Sequence, residues 1–296
     1  MPYAISFYLL IYYFSKVSNL TILCCSFFSF VEKTRYVIFK LRFNLTYRNI
    51  VLDQRIYYMR QLKGSSSYLK NQVRKNLARA ILSAIMFAAV LALLILRILL
   101  TLQVGILDEA GLFFLLFPFV AFYFYLRKYH IYSSGWQGEK QVANLLTRSL
   151  NDDYYLLNDL YLREGSGDID HIVLGPNGVF VLETKNWSGS ISFNGDEWQR
   201  AGKRNFSGSP SRQVKRNAAK IKQIIDNNQN LRSLGIWVES IVVLTNNHAT
   251  LHLNNPTVTI LKLPQVPNYI ASFRSSRSLS REQLETVGKE IIKQKN

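Results

Sequence analysis

DIDHIVLGPNGVFVLETKNW, residues Asp168 to Trp187, decides the fold. Gly175, Pro176, Asn177 and Gly178 carry turn chemistry between two runs rich in β-branched and aromatic residues, so the stretch reads as a β-hairpin. Side chains alternate along a strand, so Glu183 and Lys185 leave one face together while Thr184 leaves the other. Hairpin pairing can set Asp170 opposite Glu183, and two carboxylates converging there suit a hard divalent cation, Mg²⁺ or Mn²⁺. An adjacent ammonium, Lys185, can orient an attacking water or steady a pentavalent phosphorus. Phosphodiester hydrolysis needs that set of parts. A plain alternative is a Glu183–Lys185 salt bridge on a solvated sheet face, against which Val179, Val181 and Trp187 count because they share that face. Asp168 has the parity of Asp170 and is a second candidate ligand, although it lies nearer the 165–167 loop. His171 faces the other way and reads as a packed histidine.

Outward from the hairpin the texture is that of a soluble α/β domain. GEKQVANLLTRSL repeats Val142, Leu145, Leu146 and Leu150 at helical spacing. YYLLNDLYL reads as a strand, SISF with EWQR as a short pair, and SRQVKRNAAKIKQIIDNN as a helix. WVESIVVLTN and TVTILKL read as further strands, and SREQLETVGKEIIKQ as a closing helix begun by Ser280. That order fits a mixed sheet flanked by helices.

Before Ser133 the composition changes. ARAILSAIMFAAVLALLILRILLTL, residues 78–102, has one charge, Arg97, beyond the flanking Arg79, and is long enough to cross a ~30 Å hydrocarbon core. A link holding Gly105, Asp108 and Glu109 leads to a second apolar run, Ala110 to Leu126, so a transmembrane hairpin over residues 65–130 is expected, with spans at about 80–102 and 110–126. Lys70, Arg74, Lys75 and Arg79 precede the first span and Arg127 and Lys128 follow the second. Positive-inside logic therefore makes the chain multi-pass with everything after His130 cytoplasmic. Residues 1–64 form an apolar and basic segment with three readings: a further span, an amphipathic anchor, or sequence upstream of a start at Met59. Ser65, Ser66 and Ser67 mark a flexible joint.

The 296 residues carry a formal charge of +17, which points to anionic partners, nucleic acid and the lipid surface of a cytoplasmic leaflet. The adjacent Cys24 and Cys25 make neither a disulfide framework nor a spaced zinc site. Lys203, Arg204, Arg212, Lys215 and Arg216 cluster around Gln213 and suit a phosphate backbone, with a solvated helix face as the plainer reading.

Asp170 followed by Glu183-Thr184-Lys185 resembles the split signature of the PD-(D/E)xK nuclease superfamily. GEKQVANLL, DIDHIVLGPNGVFVLETKNWSG and SPSRQVKRN together resemble, in order and spacing, the nuclease-related domain, NERD. The resemblance implies a restriction-endonuclease-like core at 133–250, with 251–296 completing or flanking it, and a role in DNA processing. Under it Asp170 and Glu183 correspond to metal ligands, Lys185 to the catalytic lysine, Glu139 to the acid of the first helix and Gln213 to the glutamine of the later helix. Glu139 is equally a first-turn acid favoured by the helix dipole. Ile169 stands where the superfamily signature has a proline. A catalytically inactive module that tethers nucleic acid or a protein partner to the membrane is the competing expectation.

Overall fold

The computed structural model describes residues 59–63, 67–101, 111, 113–162, 168–201 and 208–294. The expected N-terminal span, the Gly105-Asp108-Glu109 link, Ser65 and Ser66 of the joint, and Lys203 and Arg204 lie outside them. Two long helices, α1 (Ser67–Thr101) and α2 (Leu116–Ser149), lie between β1 (Arg60–Lys63) and β2 (Tyr155–Tyr161) in the chain. The hairpin follows as β3 (Asp168–Gly175) and β4 (Gly178–Lys185), then β5 (Gly189–Asn194) and β6 (Glu197–Arg200). After α3 (Pro210–Asn227) and the short α4 (Gln229–Arg232) come β7 (Val238–Leu244), β8 (Ala249–Asn254) and β9 (Thr259–Lys262), and α5 (Val266–Ser272) and α6 (Arg281–Lys293) close the fold.

The strands make a six-stranded mixed sheet, β1-β2-β3-β4-β7-β9, and a three-stranded sheet, β6-β5-β8. The hairpin is antiparallel, with Gly175 opposite Gly178 and His171 opposite Leu182, and β4 runs parallel to β7. Two apolar clusters cover the two faces of the large sheet. One packs α3 and α6, through Ile221, Ile225, Val287 and Ile291, against Leu174, Val181 and Val242. The other packs α2 and α5, through Val142, Leu146 and Ile270, against Val173, Phe180 and Val243. This is why β3 and β4 read as continuous apolar runs: a strand buried on both faces needs no polar alternation.

Several features depart from the sequence reading. The helix expected from Gly138 starts at Leu116, so the second apolar run and the first helix of the soluble domain are one continuous helix. Arg60–Lys63, placed by sequence in an N-terminal segment, is an edge strand parallel to β2, and Met59 is buried in the α2-side cluster. The joint at Ser67 is likewise the first residue of α1.

Helices α1 and α2 pack antiparallel. Phe87 meets Phe119 at 6.3 Å between ring centroids, and the Arg79 guanidinium lies 5.6 Å from the Tyr125 ring centre. A Cβ on Gly135 would touch Leu69 at 3.7 Å, while Gly111 lies against Leu94 at the other end. Among the described residues one helix, Tyr68–Thr101, is long and apolar enough to cross a membrane. Its flanks expose Leu82, Ile85, Leu93, Leu96 and Leu100, and α2 exposes Phe117, Val120 and Phe124 at its start.

Candidate active site

The β3–β4 ladder stops at His171–Leu182. Continued by one residue, the register would put Asp170 opposite Glu183, and there the Asp170 Oδ2 accepts the Thr184 backbone N–H at 2.6 Å. The carboxylate thus replaces a backbone carbonyl as the cross-strand acceptor, which fixes Asp170 against the strand that carries Glu183 and Lys185. On its other side β4 stays paired with β7, Glu183 opposite Val242 and Lys185 opposite Leu244. One acid is therefore held by a side-chain bond and the other by an intact ladder.

Glu183 is 1% exposed. Its Oε1 accepts from Lys185 Nζ at 2.5 Å, and its Oε2 is buried with no hydrogen-bond partner among the described residues. A buried charged oxygen without a partner is costly. Burial, then the neighbouring Asp170, pushes the Glu183 carboxyl up to about 8. Burial raises Asp170 to about 6, against the opposing pull of Lys185 and the Thr184 N–H. Lys185 is drawn down by burial, but Glu183 and Asp170 more than offset this and hold its ammonium above the ordinary range.

These groups line a cleft of about 720 Å³ together with Glu139, Asp159, Asp168 and Gln213. Glu139 arrives from α2, and Gly138 makes that approach possible: a Cβ there would come within 3.0 Å of Thr245 Oγ1 and 3.1 Å of Asn186 Cβ. Asn186 also ties the helix to the end of β4 by donating to the Ser134 carbonyl at 3.0 Å. Burial first, then Asp170, Asp159 and Glu183, drive the Glu139 carboxyl up to about 9. Gln213 lies in the first turn of α3, which Ser209 caps by accepting the Arg212 N–H at 3.2 Å.

Residues 134–245 match the nuclease-related domain family, NERD. The match covers little more than a third of the chain. The nuclease-related domain holds every carboxylate of the cleft, and α1 and the first part of α2 lie outside it. The chain is also similar to an uncharacterized protein of Bacillus anthracis, 43% identical over 60 residues, which are 19% of this chain and 28% of that protein. It thus spans little more than a quarter of the curated relative it matches. No solved structure matches.

Of the other residues singled out from sequence, Asp168 lines the cleft beside Asp170. His171 points away, buried, with Nδ1 2.7 Å from Asn158 Oδ1, and burial lowers its pKa to about 3. The basic cluster is split. Arg212 pairs with Glu197 and Lys215 with Asp196 at 2.7 Å, both acids at the β5–β6 turn. The exposed Arg216 acts electrostatically on Glu183, and neither it nor Arg212 nor Lys215 lines the cleft. Trp198 is buried in the core, stacked on Phe193.

Sequence reasoning missed Asp159. Its φ of +50° is a left-handed conformation inside β2, uncommon for a non-glycine residue although Asp and Asn tolerate it best. Leu157 before it and Leu160 and Leu162 after it all reach the same apolar cluster. The face alternation therefore slips at Asp159, which lines the cleft. The legible signal was the polar Asn158-Asp159 pair inside an apolar strand.

Proposed function

We propose that this chain is a membrane-anchored, divalent-metal-dependent nuclease of the PD-(D/E)xK type that hydrolyses phosphodiester bonds in DNA. The observation that carries this reading is the buried, unpartnered Oε2 of Glu183 beside Asp170, in a cleft that also holds Lys185. An oxygen so placed is satisfied by a cation, and a hard one fits because the acids lining the cleft offer carboxylate oxygens. Asp170 and Glu183 would hold Mg²⁺ or Mn²⁺, with Glu139 from the facing helix. When bound, such an ion lowers the pKa of its water and offsets charge on the phosphoryl oxygens. Among the described residues no three His, Cys, Asp or Glu side chains stand gathered as a metal-holding group, so water and substrate oxygens complete the set, as Mg²⁺ commonly requires.

The protein's own groups divide the remaining work. Lys185, kept protonated by its carboxylate neighbours, donates hydrogen bonds to the phosphate or the attacking water and does not act as a base. Gln213 offers a neutral amide to a phosphate oxygen from the α3 side. Glu139 and Glu183 hold protons near neutral pH while no cation is present and release them on metal uptake, so affinity rises with pH.

Membrane anchoring rests on α1 and on the aromatic start of α2, packed antiparallel, with Arg74, Lys75, Arg79, Arg127 and Lys128 between the apolar lengths and the cleft. That distribution supports a multi-pass topology with the nuclease-related domain on the cytoplasmic side, against anionic lipid. The alternative, an idle module that tethers nucleic acid or a protein partner, draws on the lack of a ready-gathered ligand trio. The deciding experiment incubates the detergent-solubilised full chain with linear and nicked DNA, in Mg²⁺, Mn²⁺ or EDTA, beside Glu183→Ala. The reading expects metal-dependent cleavage that the variant lacks. Absence of any such difference excludes it.

A further inference from the structure

We propose that Arg200, pinned by Ser188 beside Trp187, is a phosphate-binding residue that holds the substrate phosphate next to the one being cleaved. This rests on the phosphodiester chemistry proposed above.

Alternation along β6 puts Trp198 and Arg200 on the same face. Trp198 is buried against Phe193 and Trp187. Arg200, two residues on at the strand's end, stands where that packed face opens into the cleft, which it lines. Its Nη2 donates to Ser188 Oγ at 2.8 Å. The guanidinium lies along the backbone of Gly189, where φ is +88° and an added Cβ would stand 3.7 Å from Arg200 Nε. Any side chain at 189 would strain the backbone, while its Cβ would stand in ordinary contact with the guanidinium. The arginine is thus fixed in place before any ligand arrives.

Its charge is the second observation. Lys185 is paired within the cleft, and Arg212, Lys215 and Lys222 are paired outside it. Arg200 has no ion pair among the described residues, although the same cleft is lined by five carboxylates. A guanidinium carries five N–H donors in a planar fork, and one of them goes to a neutral hydroxyl. The others are left for an anion, and the fork matches two phosphate oxygens at once. Ser188 lies three residues beyond Lys185, a reach of ~10 Å in extended chain. That reach is long enough for Arg200 to hold the phosphate next to the one at Lys185. The Trp187 ring on the same wall, fixed edge-on to Trp198 at 5.9 Å, offers a surface for the base or sugar between them. The bound group is either an internal phosphodiester or a terminal phosphate of the strand.

The test is fluorescence anisotropy with the full chain in detergent and metal chelated, so that binding is read without cleavage. The probes are one single-stranded oligonucleotide sequence with a 5′-phosphate and the same sequence with a 5′-hydroxyl. Arg200→Ala is expected to weaken binding ~10-fold or more and to flatten the salt dependence by ~0.7 in log–log slope. Arg200→Lys, which keeps the charge and loses the fork, should recover only part of the loss, and Ser188→Ala should cost less than Arg200→Ala. Equal losses on both probes assign an internal phosphate; a loss confined to the phosphorylated probe assigns a terminal one. Wild-type affinity and salt slope in Arg200→Ala, or no binding by the wild type, would overturn the proposal. If the wild type cleaves and Arg200→Ala alters neither affinity nor KM, this site fails while the nuclease stands. If nothing is cleaved but Arg200→Ala weakens binding, the chemistry fails while this site stands.

Discussion

Glu183 and Lys185 are two residues apart on one strand face, and the separate roles proposed for them follow from unequal burial. The carboxylate is sealed in, with one oxygen on Lys185 and the other without a partner among the described residues, while the ammonium side chain keeps 23% of its surface. Lys185→Met is expected to reduce turnover by ~100-fold, the scale of losing one preorganised donor, while leaving Mn²⁺ binding in place; joint loss of both would instead make the lysine a structural partner of Glu183. The carboxyls also set a pH dependence. Folding raises Glu139 from 4.5 to about 9 and Glu183 from 4.5 to about 8. Between those limits the folded state holds more protons than the unfolded one, so metal-free stability falls as pH rises. Thermal melting in EDTA should show a declining midpoint from pH 5 to pH 9, shallower in Glu139→Gln; a flat or rising profile contradicts the assignment. The positions of Asp170, Glu183 and Lys185 were legible because alternation and a two-residue turn are local rules. Asp159 was hidden because its backbone departs from ideal strand geometry, and Arg200 because it lies on another hairpin whose approach is tertiary.

Among the elements, the hairpin, β5, β6, α3, β7 and the Ser280-capped α6 follow from periodicity and from turn and cap residues. The continuity of α2 does not. Ser133, Ser134 and Gly135 look like a boundary between an apolar and a polar segment, yet in the fold Gly135 faces Leu69 at ordinary contact distance and Gly138 admits the close approach of Thr245 and Asn186. The small residues serve close packing, and the helix runs through them. Edge strand β1 was equally invisible, since RQLK carries no alternation and its pairing is supplied by β2. Two consequences follow at this scale. Gly138→Val should push α2 away from β4 and reduce cleavage through a displaced Glu139, with little change in the helix content seen by circular dichroism; wild-type activity would show that the close approach is dispensable. A fragment beginning at Ser133 loses β1, Met59 and half of α2, so it should melt well below a fragment beginning at Tyr57. Equal midpoints would mean that those contacts contribute nothing.

For the molecule as a whole, α2 links the apolar pair to the site without a joint. Glu139 lies 13 residues beyond Leu126, ~20 Å along a helix at ~1.5 Å per residue, so an anchor in the bilayer would hold the cleft close to the lipid headgroups. Lysines at Leu93 and Leu96, exposed on α1, should move the chain from the floating to the soluble or aggregated fraction in a vesicle flotation assay, because each charge near a bilayer centre costs ~2.5 kcal/mol or more. Unchanged flotation would place the anchor elsewhere. The net charge of +17 suits lipid and nucleic acid alike, so composition alone does not separate the two proposed partners; that Arg212 and Lys215 are paired outside the cleft while Arg200, no member of that cluster, lines it could be seen only in the fold. The central claim, that Asp170 and Glu183 together form a divalent-cation site, is tested most directly by titrating the metal-free full chain with Mn²⁺ and following the free ion by electron paramagnetic resonance. The account predicts a saturable site in the wild type that strengthens with pH and is lost in Asp170→Asn/Glu183→Gln, and undiminished binding by that double variant would contradict it.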